Sequence, residues 1–464
     1  MKNEVFVQST RSVCPHCLQN IEAEIVQRGE EVFLRRECPH HGMAEECIWR
    51  GAPAFTEWKR PKTYNSAFLR QSESHEGCPQ DCGLCSQHLQ KSCAVLYELT
   101  DACNLRCPVC FASSGEKKGE SFGSLKEHVQ ALRWIAEQAG QAVLQLSGGE
   151  PTLSPWLLPL VREAAALFPA VQLNTNGLIL AKDKGYAIAL AEAGLSWVFL
   201  QFDGLDESIY TQLRGRELLD IKLQAIEHCR AAGLAVVLVP TVAKGINDHV
   251  LGEIVRFGIK HAPTVRGVHF QPMTRAGRNT LTQNESFTLP EVLQALETQT
   301  EGMIALSHAS PPGCEHERCS FHCRYSLKDG TLTHTPSSCC CAGGGEVGQE
   351  RVFSEKAEYL QGRREESDEG ANKAIASVVQ SWQKAPSEKR TTSMDSFDAF
   401  IARHRATLFS VTCMAFQDVW NLDIQRLQGC CIHIYAPPNR LIPFCAYNLT
   451  NDEGHPLHRK TAAP

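Results

Sequence analysis

Residues 94–110 read AVLYELTDACNLRCPVC, and two signals meet in them. AVLYEL (94–99) is a short apolar run of the kind that forms a strand buried on both faces. Directly after it stand Cys103, Cys107 and Cys110, spaced C-x3-C-x2-C. Five further runs follow: AVLQL (142–146), VQLN (171–174), WVFLQF (197–202), AVVLVPTV (235–242) and VRGVHFQPM (265–273). Helical patterns fill the gaps. Ser124 and Glu127 make a capping box, Leu125, Val129, Leu132 and Ala136 share one face, and Gly140 ends that segment. Another helix is expected from Asp220 to Gly233, with Cys229 on its core side. Six strands alternating with helices predict an α/β fold of parallel βα units, either an open sheet or a partial barrel. The carboxyl-terminal strand ends form the active face of such folds, so the cysteines of the first βα loop should face a cavity.

The chain has 464 residues, enough for two to three domains, and a formal net charge of −6. That acidic balance gives no support for nucleic-acid binding. The first residues, MKNEVFVQSTRSVCP, lack the apolar core of a secretory signal, and no run of roughly 18 uncharged apolar residues suggests a span. A soluble, cytoplasmic protein is expected. Its 22 cysteines then point to metals rather than disulfides.

Those cysteines fall in groups. Cys14-x2-Cys17 faces Cys38-Pro-His-His41 some twenty residues on, the pattern of two metal knuckles, with Cys47 in reserve as a ligand. A module this small and this poor in large apolar side chains needs a structural metal, zinc or iron, to be stable. Cys78, Cys82 and Cys85 repeat the C-x3-C-x2-C spacing before the first strand, with Cys93 available as a fourth thiolate. Three thiolates so spaced can hold three irons of a cubane cluster and leave the fourth open; a fourth thiolate closes it. Further along come Cys314, Cys319 and Cys323, the run Cys339-Cys340-Cys341, and then Cys413, Cys430, Cys431 and Cys445. Between them, residues 343–400 are polar and read as solvated helix and linker. The expected division is a knuckle module over 1–75, a cluster segment over 76–93, a βα region over 94–290 and a Cys-rich region over 291–464.

The second strand ends in Leu146-Ser147-Gly148-Gly149-Glu150-Pro151. Paired glycines let backbone approach a ligand, and the adjacent carboxylate can accept an ammonium group. One unit after a cysteine triplet, this segment resembles the radical S-adenosylmethionine (AdoMet) superfamily. The resemblance implies a partial (β/α)6 barrel of that type and a [4Fe-4S] cluster on Cys103, Cys107 and Cys110, whose open iron binds AdoMet. It also implies that Gly148, Gly149, Glu150 and Pro151 contact the AdoMet amino group. The superfamily usually has an aromatic residue just before the third cysteine; here that place holds Val109, and Phe111 follows Cys110.

Further stretches narrow the likeness: QLNTNG (172–177), LQFDGLDESIY (200–210), LRGR (213–216), VPTVAKGIND (239–248), VHFQPM (268–273), CCIH (430–433) and IPFCAYN (442–448). They resemble a subgroup containing tetraether lipid synthases and dihydropterin-methylating enzymes. By that resemblance Cys14, Cys17, Cys38 and His41 hold the mononuclear metal. Cys78, Cys82 and Cys85 contribute to one auxiliary cluster, and Cys413, Cys431 and Cys445 to another, where the neighbouring Cys430 offers an equal thiolate. Asn174, Asn176 and Asp203, at strand ends, are candidates for AdoMet contacts, although Asn-Gly and Asp-Gly are also common turn pairs. Arg214 is a candidate partner for a carboxylate, or a surface charge. His269 and Gln271 alternate with Val268 and Phe270 and share one face, the cavity's if they line the substrate pocket.

The expected activity is radical chemistry at an unactivated carbon of a lipid or pterin-like substrate, as C–C bond formation or methyl transfer. A ferredoxin or flavodoxin would donate electrons, and a lipid would require peripheral approach to a membrane. A maturase of a ribosomal peptide is the alternative enzyme. A bare iron–sulfur electron carrier would explain the cysteines but neither GGEP nor the βα units.

Overall fold

A computed structural model describes residues 4–60, 71–115, 123–281, 285–335 and 408–459, together with Ala376, Val379 and Trp382. Cys339-Cys340-Cys341 and most of the expected polar linker lie outside the described residues.

Four antiparallel strands open the chain: β1 (Glu4–Val13), β2 (Asn20–Arg28), β3 (Glu31–Cys38) and β4 (Gly42–Arg50), paired in that order. The knuckles fall at their turns, Cys14 and Cys17 between β1 and β2, Cys38 and His41 between β3 and β4. Then come β5 (Ala94–Glu98), the two-residue β6 (Val109–Cys110), β7 (Val143–Ser147), β8 (Val171–Thr175), β9 (Trp197–Gln201), β10 (Ala235–Val239), β11 (Thr241–Val242) and β12 (Val265–Pro272). β13 (Arg278–Asn279) pairs with β6. All six expected strands are present, each joined to the next by helical crossovers, and neighbours pair in parallel.

Period-two alternation divides each strand between two environments. Leu144, Leu146, Leu173, Val198, Leu200, Val236, Leu238, Val268 and Phe270 point to the outer helices and are buried there. These meet Leu132 and Ile135 of the capping-box helix, and Leu160, Val161, Leu190 and Ile226 of the next helices. Cys229 belongs to this core, as its position on the helix implied. The other face carries Gln145, Gln172, Asn174, Phe199, Gln201, His269 and Gln271, and lines a cavity.

The C-terminal region is not an appendage. β14 (Ser320–Lys328), β15 (Thr331–His334), β16 (Leu408–Met414), β17 (Ile432–Ala436) and β18 (Arg440–Pro443) are split between the two edges of the barrel sheet. β16 pairs in parallel with β12 on one side and β17 in parallel with β5 on the other, so eight parallel strands run consecutively. β14 and β18 then cap the two sides in antiparallel pairing. The expected boundary at residue 291 therefore cuts through one sheet.

The metal-knuckle module docks on this C-terminal part. Thr10 Oγ1 donates to Asp423 Oδ1 at 2.8 Å and Ser12 Oγ to the Leu422 carbonyl at 2.6 Å. Arg36, 2% exposed, spans the junction with hydrogen bonds from Nε to the Val13 carbonyl (2.9 Å) and from a terminal nitrogen to the Val419 carbonyl (3.0 Å). Arg36→Leu strands two buried carbonyls, each worth about 1–3 kcal/mol. Expected is an early loss of hydrogen-exchange protection in β1 and β3, with β7–β9 unaffected; equal loss throughout would refute a localised clamp.

Candidate active site and metal centres

The cavity of about 450 Å³ opens at the carboxyl-terminal ends of the parallel strands, and Cys103, Cys107 and Cys110 all line it. Their loop is fixed against the GGEP segment by backbone. Gly149 N–H donates to the Thr100 carbonyl at 2.7 Å, and Glu150 N–H to the Ala102 carbonyl at 2.8 Å. A Cβ on Gly148 would lie 2.2 Å from the Thr100 oxygen, and one on Gly149 2.1 Å from the Ala102 oxygen. The close approach inferred for these glycines is thus first an approach to the cysteine loop. From the other side Arg278 donates Nε–H to the Cys107 carbonyl at 2.7 Å and another N–H to the Ser114 carbonyl at 2.6 Å.

Burial pushes the Cys103 thiol up to about 12, and raises Cys107 against the pull of Arg214. Such thiols carry charge only beside a cation. What the trio offers an iron–sulfur cluster is three thiols of one loop at the C-x3-C-x2-C spacing, all lining one cavity.

The Glu150 carboxylate is already engaged. It accepts from Thr152 N–H (3.1 Å), Thr152 Oγ1 (2.6 Å), Thr175 Oγ1 (2.7 Å) and Asn176 N–H (2.8 Å), while Pro151 starts a short 3-10 turn. Glu150 thereby ties the end of β7 to the end of β8. Asn176 donates Nδ2–H toward Cys103 Sγ at 3.9 Å and to Asn104 Oδ1 at 2.7 Å, and caps Leu178 N–H through Oδ1 at 3.0 Å. Ligand-facing and turn roles coincide in it. Asn174 lines the cavity, accepting from Gln172 at 2.6 Å.

Asp203 and Arg214 divide the work differently from what was expected. Asp203 is fully buried and is not among the lining residues; both its oxygens accept from Arg214 at 2.7 Å. Arg214, far from being a surface charge, is 8% exposed, lines the cavity and also donates to Thr241 Oγ1 at 2.8 Å. Asp203 therefore orients Arg214 and does not itself reach the cavity. Lys222, buried, is held by the Asn176 carbonyl at 2.5 Å and Gln201 Oε1 at 3.1 Å; desolvation brings it down to about 8.

His269 and Gln271 both line the cavity. Burial lowers His269 to about 4, so it is neutral, with Nδ1 bonded to Thr412 Oγ1 at 2.8 Å. Several lining groups were missed in the sequence. Gln145, Gln172 and Gln201 were visible only as polar residues at alternate positions inside apolar strands. Phe111, Phe416 and Phe444 form an aromatic wall, with ring centroids 5.3 Å (Phe111–Phe444) and 4.3 Å (Phe416–Phe444) apart. Val109, buried in the β6–β13 pair, lines the same cavity but brings no ring to that wall.

At the knuckles, Cys14, Cys17, Cys38 and His41 bring their ligand atoms within 4.8 Å of one another. His41 Nδ1 lies 3.5 Å from Cys14 Sγ and 3.4 Å from Cys38 Sγ, and Cys17 and Cys38 Sγ are 3.9 Å apart. Tetrahedral S and N ligands at ordinary bond lengths stand roughly 3.5–3.8 Å from each other, so the four fit a mononuclear metal. Burial raises Cys38, but hydrogen bonds from His41 and the His40 and His41 backbone bring it down to about 6. Cys47 is directed instead to the Trp49 carbonyl at 3.5 Å and is not in the set.

The remaining cysteines regroup. Cys78 and Cys82 Sγ are 4.0 Å apart, and the thiols acting on Cys82 are those of Cys78, Cys85 and Cys430. Cys93, expected as their fourth thiolate, lies 2.9 Å from Cys431 Sγ and interacts with Cys314. Cys445 interacts with Cys319, and Cys413 is buried in the sheet core. The expected trio of Cys413, Cys431 and Cys445 is thus divided. Residues just ahead of β5 and β17 are neighbours because those strands pair in parallel, which nothing in the sequence announces.

The Radical SAM superfamily domain matches residues 97–258, and an HMPTM N-terminal zinc ribbon domain matches residues 6–50. This chain belongs to the radical SAM superfamily and is an enzyme. Within it, the chain is 32% identical to the 7,8-dihydro-6-hydroxymethylpterin dimethyltransferase of Methanocaldococcus jannaschii, over 95% of this chain and 93% of that protein. It is 33% identical to the GTP 3',8-cyclase of Mycobacterium marinum over 42% of its length, about half (55%) of that enzyme. Among solved structures, SuiB of Streptococcus suis bound to S-adenosylmethionine covers 46% of this chain and 48% of its own at 18% identity and a TM-score of 0.39. No helix among the described residues is long and apolar enough to cross a membrane.

Removing one partner of a buried ion pair costs about 3–5 kcal/mol. Asp203→Ala should therefore lower the unfolding free energy in urea by that order. Glu227→Ala, which breaks an exposed pair with Arg230, should change it by less than about 1 kcal/mol. Equal effects would contradict the buried assignment.

Proposed function

We propose that this enzyme cleaves AdoMet reductively at a [4Fe-4S] cluster held by Cys103, Cys107 and Cys110, and that the 5′-deoxyadenosyl radical, taking a hydrogen atom to become 5′-deoxyadenosine, lets a one-carbon group from a separate methyl or methylene donor join a dihydropterin-like ring. When bound, the cluster supplies the electron that splits the sulfonium bond. The chain's own residues hold AdoMet and the acceptor. The backbone of Gly148 and Gly149 lies beside the cysteine loop and offers its polar groups to the AdoMet amino group. Arg214, oriented by Asp203, presents a cation to its carboxylate. Phe111 with Phe444 offers an aromatic face to adenine, the task usually given to the position of Val109.

The observation that carries the choice of acceptor is the set of amides on the interior face of the strands, within an otherwise largely apolar lining. Gln145, Gln172, Asn174, Gln201 and Gln271 line it beside neutral His269. Amides both donate and accept, matching the alternating N–H, C=O and ring-nitrogen edge of a pterin. Gln172 and Gln201 are already bonded to Asn174, Trp197, Asp203 and Lys222, so the cost of a lipid chain falls on the less engaged amides of Gln145 and Gln271, at about 1–3 kcal/mol for each one left unsatisfied. The whole-length similarity to a dihydropterin dimethyltransferase supports this reading over a lipid or a peptide maturase.

The remaining thiols suit auxiliary clusters: Cys78, Cys82 and Cys85 with Cys430 for one, and Cys93, Cys314 and Cys431 for another. Zinc or iron occupies the knuckles in this reading, and a ferredoxin- or flavodoxin-like protein reduces the enzyme.

Anaerobically reconstituted enzyme with dithionite and AdoMet should release 5′-deoxyadenosine, faster with a dihydropterin present than with a lipid or peptide. Cys103→Ala should release none. Dihydropterin-independent release, with no methylated product by mass spectrometry, would sink the acceptor assignment. Gln271→Leu should raise KM for the dihydropterin roughly tenfold, one hydrogen bond's worth, while uncoupled AdoMet cleavage persists.

A further inference from the structure

The cavity has two ends, and the second is closed by a residue from the segment expected to be solvated linker. Trp382 lines the cavity, and its indole Nε1–H donates to Ser410 Oγ of β16 at 2.8 Å. Its ring meets Trp197 and Phe199 of β9 edge-to-face, with centroids 5.8 and 5.1 Å apart, and lies 6.3 Å from His269 of β12. Val379, three residues earlier and helical like Trp382, packs with it on Val143, Ala170, Trp197, Ala235 and Val237. Val143, Trp197 and Ala235 are the first residues of β7, β9 and β10, and Ala170 immediately precedes β8. These are the amino-terminal strand ends, opposite the cysteine loop that follows β5. Trp382 and the thiol trio therefore bound the cavity from opposite ends.

We propose that Trp382 is the specificity-determining residue of the cavity: its indole is a floor that limits the acceptor to a compact ring. This rests on the reading of the site as one for a dihydropterin-like acceptor. The carbon that reacts must face AdoMet at the thiol end, so the far edge of the ring faces the floor. The indole is held by a half-buried hydrogen bond and three aromatic neighbours, so it cannot yield to a longer molecule without losing all of them. A ring fills the space between the interior amides and the indole. A tail on the ring's distal edge collides with it.

The test uses reconstituted full-length enzyme and dihydropterins carrying no tail, a butyl tail or an octyl tail on the exocyclic amine. Binding is read by calorimetry and turnover by 5′-deoxyadenosine and methylated product. Wild type should bind the tailless ring and lose roughly tenfold or more in affinity with each longer tail. Trp382→Ala should weaken the tailless ring roughly tenfold and flatten the dependence on tail length, with Trp382→Phe intermediate. If Trp382→Ala fails to load its clusters, Trp382→Phe decides. A folded variant with the wild-type length profile overturns the floor, as does wild-type affinity that is indifferent to the tail. Wild type that binds the rings with this profile but methylates none defeats the acceptor reading and leaves the floor standing. Wild type that binds no ring overturns both.

Discussion

Two backbone hydrogen bonds hold the site together: from Gly149 to the Thr100 carbonyl and from Glu150 to the Ala102 carbonyl. They continue the pairing of β5 with β7 past the ends of the strands and lock the cysteine loop to the glycine segment. Side chains at 148 and 149 would lie on top of the carbonyls they serve, so the sequence there has no freedom. Glu150 then carries the constraint onward to β8 through Thr175 and Asn176, and Asn176 turns back toward Cys103. A closed circuit of short polar contacts fixes three loops from three successive βα units. Its carboxylate is desolvated and raised, yet four donors surround it, which makes the burial tolerable.

The six central strands were legible because each announces itself locally, by an apolar run, a cap or a glycine stop. The mononuclear site was legible for a related reason: its ligands come in two tight turns of one small sheet. What escaped was non-local. Cys93 lies near the first cysteine triplet in sequence, yet meets Cys431 because β5 pairs with β17. Arg214 looked like an isolated charge in a loop, because the partner that buries it stands eleven residues away on another element. Trp382 was hidden by composition. The charged and polar residues of 343–400 gave the segment the look of solvated chain and outweighed the short apolar stretch AIASVV (374–379) just before Trp382.

The two ends of the barrel are made from different materials. The thiol end is built by βα loops of the central units, as the fold requires of an active face. The opposite end is built by residues from far along the chain: Trp382, Ser410, and Cys314 with Cys431 beside Cys93. One end suits a reaction common to a superfamily, and the other suits the choice of what reacts. Trp382 stands away from the cysteine loop, whereas Arg278 and Phe444, also from the C-terminal half, meet that loop directly.

That arrangement also sets an order of events at the ribosome. The central strands emerge with both flanking strands still unmade, and β5 waits for β17 across more than three hundred residues. Until then two long apolar strands, β5 and β12, present unpaired backbone to any other chain that can add to them. Pairing at this sequence separation is slow, which lengthens the time those edges stand open. Removing the last sixty residues would therefore do more than delete cluster ligands. It would leave the central sheet with both of its sides, β5 and β12, permanently unpaired.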